Sequence, residues 1–142
     1  MSNPAAQLAV TAEDALRADL YRFLSALLAT PPDAGLLKRC AKLTGDETPL
    51  GRAISTLAKL AAQATEGSAE REFNALFIGL ARGELLPYAS YYMTGFLNEK
   101  PLALLRADMA RHQITRAPNV YEPEDNIASL MEMMAGIIDG SF

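Results

Sequence analysis

Apolar stripes at helical spacing, cut at short intervals by proline and glycine, run the length of this chain. Leu16, Leu20, Phe23, Leu24, Leu27 and Leu28 recur at i, i+3, i+4 positions, and so do Ile127, Leu130, Met131, Met134, Ile137 and Ile138. That period covers one face of a helix, and no segment reads as a convincing strand. Pro31-Pro32, Pro49, Gly67, Gly79 to Gly83, Pro87 and Pro118 mark the breaks. The pattern predicts an all-α bundle of about seven helices in a single domain, residues 1-142. Residues 1-10 read as a loose lead-in, and 114-122 as a linker or hinge before the last helix.

The 142 residues suffice for a real core, and an apolar content of 50% excludes a disordered chain. A formal net charge of -4 argues against a general nucleic-acid binder, which needs a basic face, and is compatible with a basic peptide partner. Cys40 is the only cysteine, so no internal disulfide forms and a cytosolic setting is the simplest reading. It is expected to be a small buried apolar residue. His112 is the only histidine, which excludes a histidine-rich metal site, and near a helix end it reads as a surface residue. No run of about 18 apolar residues occurs, and residues 1-11 lack the basic flank and apolar core of a secretory signal. The chain is expected to reside in the cytoplasm.

Local signals set the helix starts. Thr11 and Asp33 are predicted caps. A third helix, Leu50 to Ala64, is expected to bury Leu50, Ile54, Leu57, Leu60 and Ala61. A fourth begins at Ser68 and points Phe73, Leu76, Phe77 and Leu80 inward. Asn98 is the predicted cap of the sixth, whose stripe is Leu102, Leu105 and Met109.

Two stretches carry chemistry beyond packing. Tyr88, Tyr91, Tyr92 and Phe96 fall within nine residues of a chain that is only 7% aromatic. A helical turn after Pro87 would gather the tyrosines, either as core with hydroxyls at a rim or as a peptide-contacting surface. The second stretch is Tyr121-Glu122-Pro123-Glu124-Asp125-Asn126. Pro123 suits a first helical turn, and Glu124 and Asp125 would then lie at the positive end of the helix dipole. The same carboxylates could instead form an acidic patch that receives a cationic partner.

Glu72-Phe73-Asn74-Ala75-Leu76-Phe77-Ile78-Gly79, Leu86-Pro87-Tyr88-Ala89-Ser90-Tyr91-Tyr92 and Glu122-Pro123-Glu124-Asp125-Asn126, in that order, resemble the motif set of the TorD/DmsD/NarJ family of redox-enzyme maturation chaperones. The wording around 79-87 and 92-97 is most similar to the formate dehydrogenase-associated branch. The resemblance runs from about Glu13 to Ile138. It implies an all-helical cytoplasmic chaperone, not an enzyme. Such a chaperone binds the twin-arginine signal peptide, and the apo form, of a molybdenum- or tungsten-cofactor oxidoreductase until its cofactor is inserted. Carried over onto this sequence, the signal-peptide contacts are Tyr88, Ser90, Tyr91, Glu122, Glu124, Asp125 and Asn126. The family's acidic motif usually ends in histidine, and Asn126 stands there instead, keeping hydrogen bonding without a titratable charge. Family members have been linked to guanine nucleotides and to the molybdenum cofactor. No phosphate-cradling loop is present, so no residues are assigned to either and no cofactor is expected; no metal site is assigned, because the carboxylate spacing matches no loop such as an EF-hand.

The chain also stops at Phe142, where the family usually continues with further helices. Met131, Met134 and Ile137 would then lack cover, which leaves burial by a second chain, by homodimerisation or domain exchange, or a truncated product. Two other functions compete with the chaperone. One is a carboxylate metal site for an enzyme, built from Glu122, Glu124, Asp125 and Glu72. The other is a plain helical oligomerisation module.

Overall fold

The computed structural model describes residues 10-142, and the expected lead-in over 1-10 lies, apart from Val10, outside them. Seven α-helices follow in order: α1 Ala12–Ala29, α2 Ala34–Ala41, α3 Pro49–Gln63, α4 Glu66–Phe73, α5 Ala89–Thr94, α6 Glu99–Arg111 and α7 Ile127–Asp139. A π-helical turn, Asn74–Ile78, continues α4. Among the described residues there is no strand, so the all-α expectation holds. The described backbone gathers into two compact units: the described residues up to Leu28 together with Tyr88–Phe142, and Ala29–Pro87.

In the Ala29–Pro87 unit, α2 packs on α3, and Leu36, Cys40, Ala58 and Ala61 are buried. Burial pushes the Cys40 thiol above its ordinary pKa, as expected for an inert core cysteine. Asp33 caps α2 by accepting the Leu36 N–H at 2.7 Å, and Thr48 caps α3 by accepting the Gly51 N–H at 3.0 Å. The buried face of α3 differs from the expected one. Gly51, Ala58 and Ala61 are innermost with Ile54 beside them, while Leu50 and Leu60 are exposed. Small residues permit close approach, and the stripe turns toward them: a Cβ on Gly45 would overlap the Gly51 carbonyl.

α4 begins two residues before the expected Ser68. Thr65 and Ser68 form a reciprocal capping box, in which Ser68 N–H donates to Thr65 Oγ1 at 3.2 Å and Thr65 N–H donates to Ser68 Oγ at 2.9 Å. Ser68 is thus the third helical residue, not the first. Phe73 and Phe77 meet edge-to-face with ring centroids 4.9 Å apart. Leu80, expected inward, lies fully exposed beyond the π-helical turn.

In the other unit, Thr11 caps α1 by accepting the Asp14 N–H at 3.0 Å. Ala18 is the buried residue of α1, and Leu16, expected on the inner stripe, is exposed. Ser25 donates its hydroxyl to the Ala128 carbonyl at 2.8 Å, and Arg22 pairs with Asp139, so both ends of α7 are tied to α1. Leu102, Met109, Ile114, Ala128 and Ala135 complete this core. Asn98 precedes α6 as expected but does not cap it with its side chain; its backbone is left-handed, with φ 69°, and its N–H donates to Ser90 Oγ at 3.0 Å.

Candidate functional site

The two chemistry-bearing stretches meet. Tyr88 and Asn126 form an isolated antiparallel bridge, and the Ala89 N–H donates to the Asp125 carbonyl at 3.1 Å. This contact decides where α7 starts. Asn126 is held extended, and its side chain accepts the Ala128 N–H at 2.9 Å as the cap. Pro123 to Asn126 forms a turn, closed by the Asn126 N–H on the Pro123 carbonyl at 3.0 Å. Glu124 and Asp125 therefore precede the helix and are not in its first turn, contrary to the sequence expectation.

Freed from the helix, the three carboxylates point to three separate partners. Asp125 turns inward, and its Oδ2 accepts the Ser90 N–H at 2.8 Å in a fully buried bond. Glu122 stays exposed and accepts the Tyr88 hydroxyl. Tyr88 is pushed up to about 12 by burial, by that bond and by the Glu122 charge, because each disfavours the phenolate; a hydrogen bond from Asn126 works the other way. Glu124 turns to the protein's own cations. Arg106 donates to it from Nε at 3.0 Å and pairs through a second nitrogen at 2.9 Å, while Arg116 stands 3.9 Å away. Burial raises the Glu124 pKa, but the Arg106 hydrogen bond, a backbone hydrogen bond and the two guanidinium charges outweigh it and hold the carboxyl below its ordinary value.

Of the seven residues named from sequence, Tyr88, Ser90, Glu122, Asp125 and Asn126 share this junction, while Glu124 faces the arginines. Tyr91 is half-buried on α5, edge-to-face with Tyr92 at 5.5 Å. Asn126 hydrogen-bonds both the α7 backbone and Tyr88, work that needs no proton exchange.

Beside Glu122 and Glu124 opens a cavity of about 270 Å³. Met109, Ile114, Ala117, Val120, Met133 and Phe142 supply its apolar wall, with Ser129, Glu132 and Arg116 at polar positions. A second, more open depression adjoins it along Ile114 to Arg116. Sequence reasoning missed Arg106, Arg116, Ser129 and Glu132. For Arg106 and Arg116 the usable signal was one cation before and one within the linker that leads to the carboxylates. Ser129 and Glu132 gave none, being ordinary polar positions of a helix.

Among the described residues no group of three or more His, Cys, Asp or Glu side chains could hold a metal ion, and the divergence of Glu122, Glu124 and Asp125 is the reason at this junction. No described helix is long and apolar enough to cross a membrane.

A family model described as the nitrate reductase delta subunit matches residues 44–142. The chain is 29% identical to the chaperone protein TorD of Aliivibrio fischeri, over 91% of this chain and 67% of that one. It is 30% identical to the TorD of Vibrio atlanticus, over 86% of this chain and 64% of that one. It thus spans about two thirds of the length of these curated relatives. The crystal structure of a candidate redox enzyme maturation protein from Archaeoglobus fulgidus superposes with a TM-score of 0.62 over 84% of this chain and 70% of that one. At 20% identity this likeness speaks for the fold alone. With well over half of its residues matched by the family model, the chain belongs to the nitrate reductase delta subunit family, the group that includes TorD and NarJ.

Proposed function

We propose that this chain is a TorD-like cytoplasmic chaperone for redox-enzyme maturation. Its client is a molybdenum- or tungsten-cofactor oxidoreductase of the formate dehydrogenase type, bound through its twin-arginine signal peptide until the cofactor is inserted. The observation that carries this reading is the junction of Tyr88 and Ser90 with Glu122, Asp125 and Asn126, set beside a cavity with carboxylates at its edge. An arginine pair needs carboxylates that give charge and orientation, and the apolar part of the peptide needs a concave apolar surface. The curated relatives are named chaperones, which favours binding over catalysis.

The roles divide by accessibility. Glu122 is exposed and is the primary receptor. Asp125 is buried and supports the junction from within. Calorimetric titration with the twin-arginine signal peptide of a formate dehydrogenase catalytic subunit tests the reading. Micromolar binding is expected, weakened about tenfold, or about 1.4 kcal/mol, by Glu122→Gln. Absence of binding to the intact protein overturns it.

A second reading concerns assembly. Met134 and Ile137 are 39% and 46% exposed on one side of α7, an apolar pair that a second copy of the chain would cover. Homodimerisation or domain exchange through α7 predicts a concentration-dependent mass in light scattering. A monomer at all concentrations removes it.

A further inference from the structure

Resting on that reading, we infer that the cavity beside Glu122 is a specificity pocket for one large apolar side chain of the bound peptide, and that Glu132 binds a basic residue next to it. The volume sets the occupant. At about 270 Å³ the cavity falls just below the range of about 300–1,000 Å³ that takes whole small ligands, and suits a single side chain. Its wall is chemically matched: Met109, Ile114, Val120 and Met133 are apolar and two of them are flexible thioethers that adapt to an inserted group.

Charge fixes the rest. Three carboxylates, Glu122, Glu124 and Glu132, and one arginine, Arg116, line the cavity. Glu124 is not available to an incoming cation: its side chain is 11% exposed and already engaged by Arg106 and Arg116. Glu132 is exposed on α7, three residues after Ser129 at the cavity wall, and has no ion pair or hydrogen bond through its side chain among the described residues. It is the carboxylate of the cavity with no internal competitor. An apolar side chain in the cavity brings its basic neighbour within reach of Glu132, which lines the same cavity as Glu122. The occupant is therefore a peptide in which a basic residue lies close to a large apolar one. The same carboxylates disfavour an anionic ligand.

The test uses the full chain and the signal peptide described above. A second peptide has alanine in place of the large apolar residue nearest the arginine pair. The intact protein should bind the alanine peptide about tenfold more weakly. Ser129→Phe fills the cavity, so this variant should bind both peptides with affinities within about twofold of each other. Glu132→Gln, an exposed change that leaves packing alone, should weaken the native peptide at least threefold and flatten its salt dependence. The inference is overturned if the intact protein binds both peptides equally, or if Glu132→Gln binds as tightly as the parent, whatever Ser129→Phe does to folding. Those outcomes leave the chaperone reading standing, whereas loss of all binding by the intact protein ends both.

Discussion

Asp125 accepts the backbone N–H of Ser90 at 2.8 Å, with the two residues 2% and 0% exposed. Ser90 in turn accepts the Asn98 N–H through its hydroxyl, and the Asp125 carbonyl accepts the Ala89 N–H. One buried carboxylate thus ties the acidic segment to α5 and, through Ser90, to the start of α6. Asp125→Ala leaves the Ser90 N–H without its acceptor and should cost about 2–3 kcal/mol. Asp125→Asn keeps an acceptor oxygen and should cost roughly half as much. Urea unfolding checks both, and an Asp125→Ala protein within about 0.5 kcal/mol of the parent would refute this role.

Glu124 makes stability pH-dependent in one direction. Its folded pKa lies below the ordinary value, so its contribution is present at neutral pH and lost as pH falls through that depressed pKa. Because Arg106 is half exposed, the pair is expected to add no more than about 1 kcal/mol. Unfolding measured between neutral and acid pH should show a shallower decline for Glu124→Gln than for the parent. Identical slopes would contradict it.

Tyr88 should titrate apart from the other tyrosines. Spectrophotometric titration of the folded protein should show one phenol near pH 12. Glu122→Gln removes the carboxylate that disfavours the phenolate, so this step should move down toward the ordinary tyrosine value of about 10. The raised value stabilises the fold below the unfolded tyrosine pKa, and that contribution is lost as pH rises through about 12. A single step for all tyrosines, unmoved in the variant, would be the contrary result.

Two glycines give opposite stability predictions. Gly51 lies in α3, where a Cβ would collide with the Asp46 backbone, so Gly51→Ala should destabilise by about 1–3 kcal/mol despite the better helix propensity of alanine. Gly67 lies in α4, and a Cβ there meets nothing closer than an Arg71 guanidinium nitrogen at 3.6 Å. Gly67→Ala should stabilise by up to about 1 kcal/mol. Thermal melts of both variants compare the two effects directly.

What the sequence determined is what acts within about one helical turn. The helical character of the segments and the Asp33 and Thr11 caps depend on residues three or four apart and appear where local rules put them, whereas Leu16, Leu50, Leu60 and Leu80 left the predicted apolar face. The motif residues Tyr88, Ser90, Glu122, Asp125 and Asn126 were also legible as a set, because their types and order carry a family resemblance. Their partners were not. The Ser90–Asp125 bond spans 35 positions and the Arg106–Glu124 pair spans 18, distances over which no periodicity operates. Only the tertiary structure decided that α7 begins at Ile127 with Asn126 as its cap, since the bridge to Tyr88 holds Asn126 extended and stops Pro123 from opening the helix. Packing likewise decided which face of α3 is innermost, because close backbone approach favours Gly51 and Ala58 over the larger Leu50 and Leu60. The cavity belongs to the same class. Its wall is drawn from α6, the 114–124 segment, α7 and Phe142 beyond it, and a concave surface shared by separate segments exists only once they have packed.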